Sequence, residues 1–301
     1  MNLADIIFPL TTAEFLSRYK GQEYFIQAGE PERFQSLFNW EELNHVLYTH
    51  RIDYPRFRMI RDGNVINQDV YLDQLTDKRG LKYSRVNSKK VHAELLKGTA
   101  IHILSIQEFS ENLTNICNNI SQALSSDVEM TIHIGMKNSK GFHQHWDSHD
   151  VFVLQLFGKK QWQLFDFTEE YPFRIGPSQK QDINLKPKWQ GDLAPGDVLY
   201  IPRGCWHDVV SYDEPCMHIS IGMYNPKGMD YISYMTKQLD QFKIFRKDIP
   251  IGVVEEDLEI YLNAIKKDFN ELLTTKTLNA YLNRINKAGI KNDFNFPHLK
   301  I

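Results

Sequence analysis

The stretch Gly141-Phe142-His143-Gln144-His145-Trp146-Asp147-Ser148-His149-Asp150-Val151-Phe152-Val153-Leu154-Gln155-Leu156-Phe157-Gly158-Lys159-Lys160-Gln161-Trp162 decides how the chain is read. From Val151 to Phe157 it is, apart from Gln155, an apolar, β-branched and aromatic run closed by glycine, as a buried strand is. Before that run stand His145 and Asp147, two residues apart. Residues i and i+2 of a strand face the same way. The spacing therefore predicts two neighbouring ligands on one strand, with Trp146 facing the other way. Working outward, a lone His207 follows sixty-two residues after His145, in Pro202-Arg203-Gly204-Cys205-Trp206-His207. Two imidazoles and one carboxylate cover one face of Fe(II), or of Mn or Zn, and leave the opposite positions open. The expected metal ligands are His145, Asp147 and His207.

A histidine and an aspartate two apart are common in chains that bind no metal. The weight comes from combination with the second segment. Leu193-Ala194-Pro195-Gly196-Asp197-Val198-Leu199-Tyr200-Ile201-Pro202-Arg203-Gly204 carries a Pro-Gly turn and a second Pro-x-Gly, which together deliver His207 to a barrel interior. A rival ligand set, His143, His145 and Asp150 with His207, imitates a three-histidine, one-acid site. It departs from that pattern by holding Asp150 where Glu is usual. Cys205, two residues before His207, reads as a metal ligand or, more simply, as a small buried hydrophobe. His143 reads as a pocket or surface residue, and His149 as a pocket wall.

Around these motifs lie Met130 to Ile134, Gln161 to Phe167, Asp197 to Ile201 and Cys216 to Tyr224, short runs separated by Gly and Pro. Such spacing predicts a barrel or sandwich. Upstream, Phe109, Leu113, Ile116, Ile120 and Leu124 fall at helical steps, and Thr12 to Arg18 opens with a cap signal. Downstream, Leu258, Leu262, Ile265, Phe269, Leu272 and Leu273 form a second stripe. The fold expected is mainly β with flanking helices, in two parts: 1–226 catalytic, and 227–301 a helical segment.

The formal charge of the 301 residues is −3, which gives no electrostatic case for nucleic acid or an anionic membrane. No run reaches the roughly 20 apolar residues of a membrane span, and the start lacks a signal-peptide pattern. Three widely spaced cysteines, Cys117, Cys205 and Cys216, fit a reducing compartment. The expected location is cytoplasmic.

Residues 141–162 and 193–204 resemble the JmjC-type, ribosomal-oxygenase-like group of cupins, and Phe25-Ile26-Gln27 with Phe38-Asn39-Trp40-Glu41-Glu42-Leu43 resembles it more weakly. The resemblance spans about residues 12–226. It implies a double-stranded β-helix that binds Fe(II), 2-oxoglutarate and O₂ and hydroxylates a protein or peptide side chain, releasing succinate and CO₂. It places the basic anchor of the 2-oxoglutarate carboxylate at Lys160. Thr131 stands where relatives often have Asn, and Ser220, on one strand face with His218 and Gly222, is a further candidate lining residue. It implies a homodimer through the C-terminal helices, on a chain too short for an additional winged helix. A second reading from another class is a metal-binding cupin without oxygenase activity, serving as a small-ligand binder or scaffold.

Overall fold

The structure is a computed structural model that describes residues 1–173 and 185–287. Its internal contacts divide the chain into two units. One comprises Met1–Ile120 with Val128–Tyr224; the other comprises Ser121–Asp127 with Asn225–Ile301.

The first part of the chain contributes helices α1 (Leu3–Ile7) and α2 (Thr12–Glu14), then a π-helical turn over Phe15–Tyr19. Strand β1 (Phe25–Gln27) and helix α3 (Trp40–Thr49) follow. Next come β2 (Phe57–Arg61), β3 (Asn64–Val65), β4 (Leu72–Thr76), β5 (Lys82–Val86), α4 (Ser88–Leu95), β6 (Ala100–Ile103) and α5 (Glu111–Leu124). Local chemistry starts these helices. Thr11 and Glu14 form a reciprocal capping box at α2, and the Asn39 side chain accepts from Glu42 N–H at the start of α3. The stripe predicted from Phe109 to Leu124 is split: Phe109 ends a 3₁₀ turn over Ile106–Phe109, and Ser110, in extended conformation, separates it from α5.

The strands that build the site are β7 (Asp127–Gly135), β8 (Asp150–Phe157), β9 (Lys160–Phe167), β10 (Trp189–Leu193), β11 (Val198–Ile201), β12 (Cys205–Ser211) and β13 (Cys216–Tyr224). They fall into an eight-stranded sheet, β1-β11-β8-β13-β7-β6-β2-β3, and a three-stranded sheet, β10-β9-β12. Val151, Val153, Leu199 and Ile201 of the large sheet share one buried cluster with Trp162, Leu164, Leu193 and Cys205 of the small one. Burying both faces of β8 explains why its sequence between Val151 and Phe157 is apolar at every position but Gln155. This is the two-sheet antiparallel jelly roll with flanking helices that the sequence predicts.

The turn before β11 depends on glycine. Gly196 has φ +93°, and an added Cβ would lie 2.0 Å from the Glu30 carbonyl oxygen. An L side chain there meets both a left-handed backbone and a solid wall. The adjacent Asp197 carboxylate closes the turn by accepting from the Ala194 and Gly29 N–H groups.

In the second unit, helix α6 (Gly228–Thr236), helix α7 (Glu255–Leu272) and helix α8 (Thr275–Lys287) carry a small aromatic core. The Tyr281 ring lies 5.6 Å from Tyr231 and 5.2 Å from Tyr234, and the Tyr231 hydroxyl donates to the Leu272 carbonyl. Leu272 is buried, whereas Leu258, Ile260 and Leu262 of α7 are exposed. No described helix is long and apolar enough to cross a membrane.

Candidate metal centre

The loop between β7 and β8 runs beside β12 as an interrupted strand. Ser211 N–H donates to the Ser139 carbonyl at 3.1 Å, and Lys140 bridges to Val210. Further along, His145 and His207 exchange both backbone hydrogen bonds, at 3.0 and 2.8 Å. Gly204 N–H then donates to the Asp147 carbonyl at 2.9 Å. One expectation is corrected here. His145 and Asp147 lie on this bridged loop, not on a regular strand, since Lys137 and Asn138 with positive φ break the run after β7. The alternation survives: Trp146 turns away and is buried against Phe165 and Trp206.

The result is convergence. One potential ligand atom from each of His145, Asp147 and His207 lies within 4.8 Å of those of the other two. The imidazole centroids are 4.4 Å apart, and His207 Nε2 is 3.7 Å from Asp147 Oδ2. Backbone carbonyls set the tautomers. His145 Nδ1 is 2.8 Å from the His143 oxygen, and His207 Nδ1 is 3.1 Å from the Cys205 oxygen. A carbonyl only accepts, so each Nδ1 carries the proton and each Nε2 keeps its lone pair for a metal. Burial, then the adjacent His145, push His207 down to about 4 against the pull of Asp147. Burial by itself would raise the Asp147 carboxyl; the imidazoles of His145, His207 and His149 outweigh it and hold it below the usual range. A neutral His207 beside an ionised Asp147 is the protonation state that binding of a divalent cation needs.

The rival set does not assemble. Asp150 is buried and its Oδ1 accepts from the Arg203 N–H at 2.9 Å, while His143 is exposed. Cys205 is fully buried, its Sγ 3.4 Å from the Phe165 carbonyl oxygen, and burial pushes its thiol up to about 12. It packs as a small apolar group and stands outside the ligand cluster.

A cavity of 380 Å³ opens from these three side chains into the space between the sheets. Thr131, Lys160 and Ser220 all line it, and His149, stacked on Tyr224 with centroids 4.4 Å apart, forms part of its wall. Lys160 opens β9, opposite Ser211 of β12, and is only 6 % exposed. Burial lowers the pKa of its ammonium, countered only by Cys216; among the described residues no carboxylate pairs with it. A buried, unpaired cation facing a cavity fits an anionic ligand there.

Three lining residues escaped the sequence reading or entered it without a role. His102, His133 and His218 stand side by side on β6, β7 and β13, with successive ring centroids 4.2 and 4.5 Å apart. His133 lies two residues from Thr131 and His218 two from Ser220, so period-two alternation could have placed both. Trp162 also lines the cavity, 6.1 Å from the His207 ring and 5.6 Å from His218.

Fold and ligand geometry together are like those of JmjC-type cupins. Residues 102–231 match the family model of the JmjC domain. The chain is 26 % identical over 262 residues to the bifunctional lysine-specific demethylase and histidyl-hydroxylase NO66 of Drosophila sechellia, covering 82 % of this chain and 38 % of that protein. It is 26 % identical to the NO66 protein of Dictyostelium discoideum, over 74 % of this chain and 42 % of the relative. The chain thus spans well under half the length of these two curated relatives. Among solved structures, YcfD, a ribosomal oxygenase from Escherichia coli, superposes with a TM-score of 0.61 at 16 % identity, over 92 % of this chain and 71 % of YcfD. YcfD in complex with cobalt and 2-oxoglutarate gives 0.59 at 15 % identity, over 92 % of this chain and 71 % of that one. These likenesses show the fold.

Proposed function

We propose that the protein is an Fe(II)- and 2-oxoglutarate-dependent oxygenase that hydroxylates a side chain of a protein or peptide. The observation that carries this reading is one cavity with two chemistries. Three metal-competent side chains stand together in its wall, and the unpaired ammonium of Lys160 lies buried in the same wall. His145, Asp147 and His207 would hold the iron. Lys160, assisted by Thr131 and Ser220, would hold the far carboxylate of 2-oxoglutarate. When bound, ferrous iron and the 2-oxo acid supply O₂ activation, with decarboxylation of the co-substrate to succinate and CO₂. The protein's part is to fix both imidazoles through Nδ1, to keep Asp147 ionised and to bury the anion site so that its charge-assisted contacts are strong. The names of the relatives, histidyl-hydroxylase and ribosomal oxygenase, favour a protein substrate over a free metabolite.

The finer parts of the reading follow the same logic. Residues 1–226 form the catalytic part and 227–301 the pairing part of a homodimer joined through the C-terminal helices. Exposed Ile251, Ile260 and Leu262 leave apolar surface for a second copy to cover. The protein works in the cytoplasm, on a protein or peptide, without direct contact to nucleic acid or membrane.

The test is succinate release from Fe(II)-loaded protein supplied with 2-oxoglutarate and peptides drawn from ribosomal proteins. The reading expects turnover that rises with a matching peptide, with a gain of one oxygen in that peptide's mass. Metal binding with no 2-oxoglutarate binding would favour a cupin that is not an oxygenase.

A further inference from the structure

The row His102–His133–His218 crosses three neighbouring strands, β6, β7 and β13, within the cavity that holds Lys160. His102 and His133 face each other in register, and His133 and His218 stack at an interplanar angle of 19°. His218 differs from a packed core histidine in two ways. It is only 2 % exposed yet lines the cavity, and its Nδ1 is sealed from solvent with no hydrogen-bond partner. Burying an N–H without an acceptor is costly, so the ring proton belongs on Nε2, the nitrogen not sealed in that way. Burial, the nearby Lys160 ammonium and His102 keep the ring neutral. A neutral ring of this tautomer offers one N–H beside a cation that lacks an acid.

We propose that His218 is a co-substrate-binding residue that donates its Nε2–H to the carboxylate oxygen held by Lys160. This rests on the reading of the cavity as a 2-oxoglutarate site. The two elements would grip the anion from different sheets, Lys160 from β9 and His218 from β13. Trp162 lies against both His218 and the ligand His207, so it spaces the anion end from the metal end with a rigid ring. A hydrogen bond to a charged acceptor adds binding energy and fixes the orientation of the bound group.

The test is calorimetry of 2-oxoglutarate binding to protein loaded with Zn(II), which binds the same donor types but does not turn over. His218→Leu removes both ring nitrogens at similar volume. His218→Gln places an amide N–H near the Nε2 position, and His218→Asn places one near Nδ1. The expected result is about tenfold weaker binding for Leu and for Asn, with Gln within about threefold of the unaltered protein. Equal affinity in the Leu variant overturns the proposal, as does a Gln variant as weak as Leu, which would mark a packing role. Lys160→Ala separates the two layers of the argument. If it abolishes binding while His218→Leu does not, only the role of His218 falls. If the unaltered protein takes up no 2-oxoglutarate, the site reading falls and this proposal with it.

Discussion

His145 and His207, sixty-two residues apart in sequence, are joined backbone to backbone: each N–H donates to the other's carbonyl, at 3.0 and 2.8 Å. Each ring then donates Nδ1–H to a carbonyl two residues earlier, His143 for one and Cys205 for the other. The two imidazoles are therefore placed by main chain on both sides. This is preorganisation of the kind that keeps a metal site's geometry independent of its occupancy.

Because the imidazoles are held this way, the carboxylate can be removed without dismantling the site. Asp147→Ala is expected to fold, with a thermal midpoint within a few degrees of the unaltered protein. Its affinity for a divalent metal should fall by on the order of a hundredfold or more, since a direct ligand is lost. Equilibrium dialysis with Zn(II), beside a thermal melt, checks both halves.

Lys160 gives the opposite trade. An unpaired buried ammonium destabilises the ligand-free protein, because desolvation has no compensating partner. Lys160→Met is expected to stabilise the ligand-free fold by about 1–2 kcal/mol while abolishing 2-oxoglutarate binding. Urea unfolding and calorimetry on the same variant measure the two effects. A variant that loses binding and stability together would mean that Lys160 serves the fold.

Acid sensitivity should come from the histidine row. Burial, then the charge of Lys160, push His102 down to about 3, and His218 also titrates well below the ordinary value of 6.5. Both are bases with depressed folded-state pKa values, so the unfolded chain binds protons that the fold refuses. Their stability contribution is complete above about 6.5 and is lost as pH falls below it, for His102 down to about 3. The expected slope is about 1.4 kcal/mol per pH unit for each ring. Urea unfolding at pH 7, 6 and 5 should show it, and His102→Gln should reduce the slope by about one proton. An unchanged slope in that variant would remove His102 from the account.

Much of the fold was legible because its signals are local. The apolar run of β8, the Pro195-Gly196 turn and the stripe of α7 each state their own structure within a dozen residues. The convergence of the candidate metal ligands was legible because the alternation of His145, Trp146 and Asp147 persists even on a bridged loop. What the sequence hid depends on pairing between distant strands. Nothing near His102 says that it will stand opposite His133, since that register is set by how β6 meets β7. Cys205 and Asp150 remained ambiguous for a related reason. Their types suit metal binding, and only the tertiary hydrogen bonds to Phe165 and Arg203 show them engaged elsewhere.

The most direct test of the central claim is an anaerobic titration of Fe(II)-loaded protein with 2-oxoglutarate, followed by visible absorption. The account predicts a charge-transfer band that saturates at one equivalent of each per chain and is absent in Asp147→Ala. Protein that binds one ferrous ion through these three side chains yet develops no such band would contradict it.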